Sequence, residues 1–164
     1  EILKSNIFVN ENLNFNIEVK SKNISNHRKL KNLNLNINYE NQLLNFNQTN
    51  FLLKDILKVN LIDSKFINSK KQYFLGTFEI LIYDHSNLYK FFQTKKKYRK
   101  KIDTIYVTTK YDFLKNNLIL EKVIIDNRSN ENINDLIKKY NQDNIIISNK
   151  VDLRNFFNSF IEEL

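Results

Sequence analysis

Leu13-Asn14-Phe15-Asn16-Ile17-Glu18-Val19-Lys20 and Leu33-Asn34-Leu35-Asn36-Ile37-Asn38-Tyr39 each alternate apolar and polar residues without a break. Side chains on a strand point to opposite faces in turn, whereas one face of a helix recurs every three or four residues. Both segments therefore read as strands with one apolar and one wetted face, and such strands belong to antiparallel sheets. The alternation begins as early as Ile7. What covers the apolar face is the functional question.

The first half continues as a meander. Ile7–Ile24 reads as one long strand, or a hairpin broken near residues 10–12, and is followed by a polar stretch from Ser25 to Lys29. Asn41-Gln42 reads as a turn. Leu44–Asn47 and Phe51–Leu53 continue the meander, Ile56–Ile62 with Phe66–Ile67 reads as a further strand, and Ser69–Lys71 as a turn. Gln72–Tyr83 is the strongest central strand. With one Gly and no Pro, the turns must rest on Asn, Asp and Ser, of which Asn tolerates positive φ best.

The second half changes character. Asp84 or Ser86 can cap a short helix holding Leu88, Phe91 and Phe92. A basic run follows, then a hairpin between Ile105 and Ile125, with a turn at Lys115–Asn117. Its slip in period between Leu120 and Val123 predicts a bulge near Glu121-Lys122. Ile133, Leu136, Ile137 and Tyr140 form a helical stripe. Asp152 is expected to cap a last helix with Leu153, Phe156, Phe157, Phe160, Ile161 and Leu164 on its apolar side. Ile145–Ile147, between the two helices, reads as a short strand or a tether. The expected class is α+β: a curled, mainly antiparallel sheet of six to nine strands, a short helix after Tyr83, and two C-terminal amphipathic helices. No Gly- or Pro-rich linker divides the chain. It reads as one β-rich domain over 1–164, with a strand meander (1–83), short helix (84–94), basic loop (95–101), hairpin (102–127) and helical end (130–164).

Asn fills 29 of 164 positions, while Pro, Cys, Met, Trp and Ala are absent. The abundant residues are those with AT-rich codons, and regular apolar interleaving argues against a prion-like tract. The lack of Cys excludes disulfides, thiolate zinc sites and a cysteine nucleophile. No run approaches the roughly 18 apolar residues of a membrane span, and no signal peptide is visible. The chain starts at Glu1 and is expected to be a section of a longer protein.

Chemistry is scarce. His27 and His85 are the only histidines, and Gly76 is the only glycine, so neither a triad nor a phosphate-cradling loop has its material. No catalytic residue, metal site or cofactor is expected. The net charge of +8 is concentrated: Lys95, Lys96, Lys97, Arg99, Lys100 and Lys101 put six cations into seven positions. The remainder is nearly neutral, unlike a general nucleic-acid binder, and no nucleic-acid partner is expected. The run reads as a solvated loop, as a contact for anionic lipid head groups, or as a contact for phosphates.

Width is more informative. Seven strands at about 4.8 Å spacing make a sheet roughly 34 Å wide. Two helices of about 10 Å cover only about 20 Å of it. Some apolar face is left for the sheet to fold over, as a dry core, or for acyl chains to occupy. The candidate lipid-facing residues are Leu13, Phe15, Ile17, Val19, Leu33, Leu35, Ile37, Phe78, Ile80 and Ile82, with Lys95–Lys101 as head-group contacts. The alternative is a structural or protein-interaction β-domain with a dry core.

From Gln72 onward the order of features resembles the carboxy-terminal region of AsmA-like proteins, the bacterial group that includes TamB relatives. The segments that carry the resemblance are Gly76-Thr77-Phe78-Glu79-Ile80, Leu88-Tyr89-Lys90-Phe91-Phe92-Gln93, the basic run, the hairpin ending Val123-Ile124-Ile125-Asp126-Asn127, and the two terminal helices. The resemblance implies a periplasmic protein, anchored to the inner membrane by a helix outside this chain. It also implies an apolar β-groove that moves phospholipid toward the outer membrane, and a possible envelope protein partner. No enzymatic activity is implied.

Overall fold

The structure, a computed structural model, describes residues 13–24, 29–41, 43–68, 72–143 and 149–164. Its strands are β1 (Phe15–Asn23), β2 (Leu30–Glu40), β3 (Leu43–Asn45), β4 (Asn50–Leu53), β5 (Leu57–Asn68), β6 (Gln72–Ile82), β7 (Thr104–Asp112) and β8 (Asn117–Ile125). Helix α1 (His85–Phe92) follows β6, and α2 (Glu131–Gln142) and α3 (Lys150–Glu162) follow β8. The fold is α+β: one curled antiparallel sheet in the order β1-β2-β3-β5-β6-β7-β8, with β4 also lying between β2 and β5. The readings placed on residues 7–12, 25–28, Gln42, Ser69–Lys71 and Ile145–Ile147 lie outside the described residues.

Register joins the one-sided strands into a single apolar face. Phe15 pairs with Tyr39, Tyr39 with Leu44, Leu44 with Phe66, Phe66 with Phe74, Phe74 with Tyr111, and Tyr111 with Leu118. This row crosses the whole sheet. Bulges keep it continuous where the spacing turns odd. Asn32 takes positive φ where β2 slips against β4, and the bulge predicted at Glu121-Lys122 is present as a register shift between β7 and β8. Each extra residue flips the parity once, so apolar residues at odd spacing still share a face. Among the described residues eight non-glycines have positive φ, and five of them are Asn or Asp. The only glycine is in the middle of β6 instead.

The third position in the sheet is a strand broken in two. Between β3 and β4 the chain leaves the ladder at 46–49, with Gln48 at φ 66°. Side chains replace the lost ladder bonds. The Thr49 hydroxyl accepts the Asn36 N–H at 3.0 Å and donates to the Asn36 carbonyl at 3.2 Å. The Ser64 hydroxyl accepts the Phe46 N–H and donates to Asn47 Oδ1, both at 2.8 Å. Backbone groups orphaned by the break are therefore satisfied locally.

Two local expectations need correction. Asn149, not Asp152, caps α3: its Oδ1 accepts the N–H groups of Val151 at 2.8 Å and Asp152 at 3.0 Å. Asp152 lies inside the first turn, where a carboxylate faces the positive end of the helix dipole. The hairpin turn spans 113–116 and Asn117 already belongs to β8, because Asp112 Oδ1 accepts the Leu114 and Lys115 N–H groups at 3.0 Å and starts the turn early. Asp84 does cap α1, accepting the Asn87 N–H at 2.9 Å.

The helices cover only one part of the apolar face. Ile82, Ile105, Val123 and Ile125 of the sheet pack with Leu88, Phe92, Ile133, Ile137, Phe160 and Ile161 into the main core. The Phe92 and Phe157 rings stack at 3.9 Å between α1 and α3. A separate small cluster, Tyr39, Leu44 and Phe66, gathers Leu13, Phe15, Ile37, Phe46 and Phe74 around it.

Candidate functional site: an apolar trough

Between these two clusters the face stays open as a trough of about 290 Å³. It is lined by Leu35, Leu44, Phe46, Thr49, Leu61, Phe66, Phe74, Phe78 and Phe113, so Thr49 is its one polar residue. The broken strand makes one wall, because leaving the ladder at 46–49 places Phe46 edge-on to Phe74, with ring centres 6.0 Å apart. Phe113, in the β7–β8 turn, makes another: its ring meets Phe66 at 5.4 Å and Tyr111 at 4.8 Å, both edge to face. Aromatic pairs in these orientations are favoured beyond the area they bury.

Gly76 fixes where the Phe74 ring of the lining lies. It sits on the apolar face between Phe74 and Phe78, paired with Ser64 and Thr109. A Cβ there would come within 2.5 Å of Phe74 Cε1 and 2.7 Å of Cζ. The Phe74 ring lies over the glycine, and only a missing side chain allows it.

The expected lipid-facing residues divide three ways. Leu35 and Phe78 line the trough. Leu13, Phe15 and Ile37 pack around the small cluster beside it, with Leu33 partly buried on the same face of β2. Ile17 and Val19, on β1, are 46% and 44% exposed. Ile80 and Ile82 lie beneath the helices, Ile82 in the core and Ile80 lining a gap of about 80 Å³ under α3. Alternation could not separate these groups, because it reports the face and not what lies over it. Missing from the expectation were Leu44, Phe46, Leu61, Phe66, Phe74 and Phe113. The available signal was Phe113-Leu114, two exposed apolar residues in a turn where polar ones prevail.

The basic segment is a single 3₁₀ turn, Lys96–Tyr98, with extended flanks. Arg99 donates to the Thr94 carbonyl through Nε and Nη2 at 3.0 and 2.9 Å. The Tyr89 hydroxyl donates to the Lys100 carbonyl and accepts the Lys100 N–H at 3.1 Å. Burial pushes the Tyr89 phenol above its ordinary pKa, against the Lys100 hydrogen bond and the nearby Arg99 charge. Lys101 meets Asp103 at 3.6 Å, and Lys97 lies 4.4 Å from the Tyr98 ring centre, its pKa raised by the hydrogen bond and charge of Tyr98. Lys95, Lys96 and Lys100 are exposed.

The segment joins one end of β7, and the trough runs from the other end back to Phe78, which is paired with Val107. The segment leads into Thr104, and the trough closes at Phe113, just past Asp112. Eight steps of about 3.4 Å put these strand ends about 27 Å apart, but the near rim at Phe78 is level with Val107, only three steps or about 10 Å from Thr104. Acyl chains of one leaflet reach through only half of a bilayer core about 30 Å thick, or about 15 Å. That reach exceeds the distance along β7 from Thr104 to the near rim of the trough, so a chain can enter the trough from the segment's side.

His85 opens α1, with Nε2 2.7 Å from the Ile102 carbonyl and 3.6 Å from Asp103. His27 lies outside the described residues. Among the described residues no group of three His, Asp or Glu side chains could hold a metal ion, and no helix is long and apolar enough to cross a membrane. No family model matches the chain, and no curated protein or solved structure does.

Proposed function

We propose that this chain is a non-enzymatic section of an AsmA-like cell-envelope protein that holds or passes phospholipid acyl chains. The observation that carries the reading is the trough: an open concavity, apolar but for Thr49, on the part of the sheet the helices leave bare. Apolar concavities with few polar groups are the usual form of small-ligand sites. Its volume equals nine or ten water-sized groups of about 30 Å³. It therefore takes a stretch of one acyl chain, and a whole lipid must extend beyond it along the face. Nine buried methylenes contribute about 7 kcal/mol before the costs of immobilising the chain. Binding of a single chain is thus weak and reversible, which suits transfer better than storage. The basic segment contacts anionic head groups at the membrane surface in this reading. The proposed setting is periplasmic, with an inner-membrane anchor elsewhere in the full-length protein.

Titration with a fluorescent fatty acid tests the site. Saturable uptake is expected, competed by phospholipid and weakened by Phe78→Asp. If the purified protein carries no lipid and the probe stays in water, the reading fails.

A further inference from the structure

The sheet ends on one side at β1, and among the described residues nothing pairs with its outer edge. Sheet edges usually carry features that prevent another strand from adding, such as a proline, a charge turned to the apolar face, or a very short strand. β1 has none of these; its charges, Glu18, Lys20 and Lys22, lie on the polar face, where they deter a like-charged strand but not one of complementary charge. β1 is nine residues long, and Phe15, Ile17 and Val19 face the other way. We propose that β1 is a homodimer interface, in which two copies of the chain pair β1 to β1 antiparallel about a twofold axis through Val19.

Parity and charge select this register. Residues directly opposite in an antiparallel pair share a face, so any register matching odd to even positions would put Glu18 or Lys20 on the apolar side. Among the allowed registers, centring on Glu18 opposes Glu18 to itself, and centring on Lys20 opposes Lys20 to itself. Centring on Ser21 opposes Lys20 to Lys22, and centring on Ile17 leaves Glu18 opposite Asn16. Centring on Val19 sets Glu18 against Lys20 on both sides of the axis, Val19 against Val19, and Phe15 against Asn23. Val19 is also the midpoint of Phe15–Asn23, so this register alone uses the whole strand. Opposite charges directly across a pair stabilise it and like charges oppose it. Within one copy Lys20 and Glu18 meet at 2.9 Å, both exposed. Such an interface is self-complementary, as a twofold requires. It joins the two sheets edge to edge with their apolar faces on the same side.

The chain has no cysteine, so a single introduced one reports the register. Val19→Cys is expected to form an intermolecular disulfide under mild oxidation, because opposed Cα atoms lie about 4.5–5.5 Å apart. Ile17→Cys is expected not to, since the two copies would be offset by four residues, about 13 Å. Sedimentation equilibrium supplies the second readout. Glu18→Lys and Lys20→Glu each place two like-charged pairs across the axis and should weaken dimerisation about tenfold or more. An equimolar mixture of the two variants restores both pairs and should dimerise as the unaltered chain does. A monomer at all soluble concentrations overturns the proposal, as does cross-linking through position 17 but not 19, or two variants that dimerise unimpaired. The outcome does not depend on lipid, so failure here leaves the trough reading intact.

Discussion

The side-chain amide of Asn141, on α2, holds the backbone of Leu120, on β8, as a neighbouring strand would. Its Oδ1 accepts the Leu120 N–H at 3.0 Å and its Nδ2 donates to the Leu120 carbonyl at 2.7 Å. β8 ends the sheet opposite β1. The two edges thus differ: one has a ladder position closed from within the chain, and the other lies open among the described residues.

Asn141→Ala removes both bonds and leaves the Leu120 N–H and carbonyl half-buried without partners. A loss of about 1–3 kcal/mol in urea unfolding is expected. Asn141→Asp should not rescue it, because a carboxylate accepts from the N–H but repels the carbonyl.

Thr49→Val tests the break between β3 and β4. The side chains have nearly the same shape, but valine can neither accept the Asn36 N–H nor donate to its carbonyl. The expected cost is about 1–3 kcal/mol, with weaker acyl-probe binding because the wall carrying Phe46 loosens. Thr49→Ser should retain most of both properties.

Gly76→Ala forces the Phe74 ring to move, since the new Cβ would stand 2.5 Å from its edge. A ring at the end of a side chain can swing, so the fold should survive at a cost of about 1–3 kcal/mol. The displaced ring enters the trough. Fatty-acid affinity is therefore expected to fall more than the melting temperature does.

Tyr89 makes the stability sensitive to alkali. Its folded-state pKa is raised by burial, so the neutral phenol's contribution is complete below the ordinary tyrosine value of about 10. It is lost as pH rises through the higher folded value. Denaturant melts between neutrality and pH 11 should show this decline, and Tyr89→Phe should flatten it while detaching the Lys100 backbone that the hydroxyl anchors.

Asn149→Ala should cost about 1 kcal/mol, because it frees the N–H groups of Val151 and Asp152 at the start of α3. Since Phe160 and Ile161 of that helix seal the main core, the loss should appear in global unfolding and not only as local fraying.

Local patterns carry information that the chain expresses over two to eight residues, and those were legible. Period two in Phe15–Val19 and Leu33–Tyr39 defines a face, and the slip from Leu120 to Val123 marks its bulge. The stripe from Ile133 to Tyr140 defines a helix. Asn in left-handed turns does work usually left to glycine. Less legible were features depending on partners far along the chain. Asn149 and Asp152 are equally good capping residues by composition, and only backbone geometry separates them. Phe46 shows no useful periodicity, because it sits where the strand breaks.

The sequence by itself determined the class of fold and the existence of one continuous apolar face, since side-chain parity along a strand is a local steric property. Tertiary structure alone decided which part of that face is core and which is trough. Ile80 and Phe78 are two residues apart on one face of β6, yet Ile80 lies beneath α3 and Phe78 lines the opening. The reason is width: the helices dock at the end of the sheet where Ile82, Ile105 and Ile125 gather, and cannot also reach the far end. The same docking places the basic segment at the helix-covered end of β7, three residues along the strand from the level of Phe78 at the near rim of the trough.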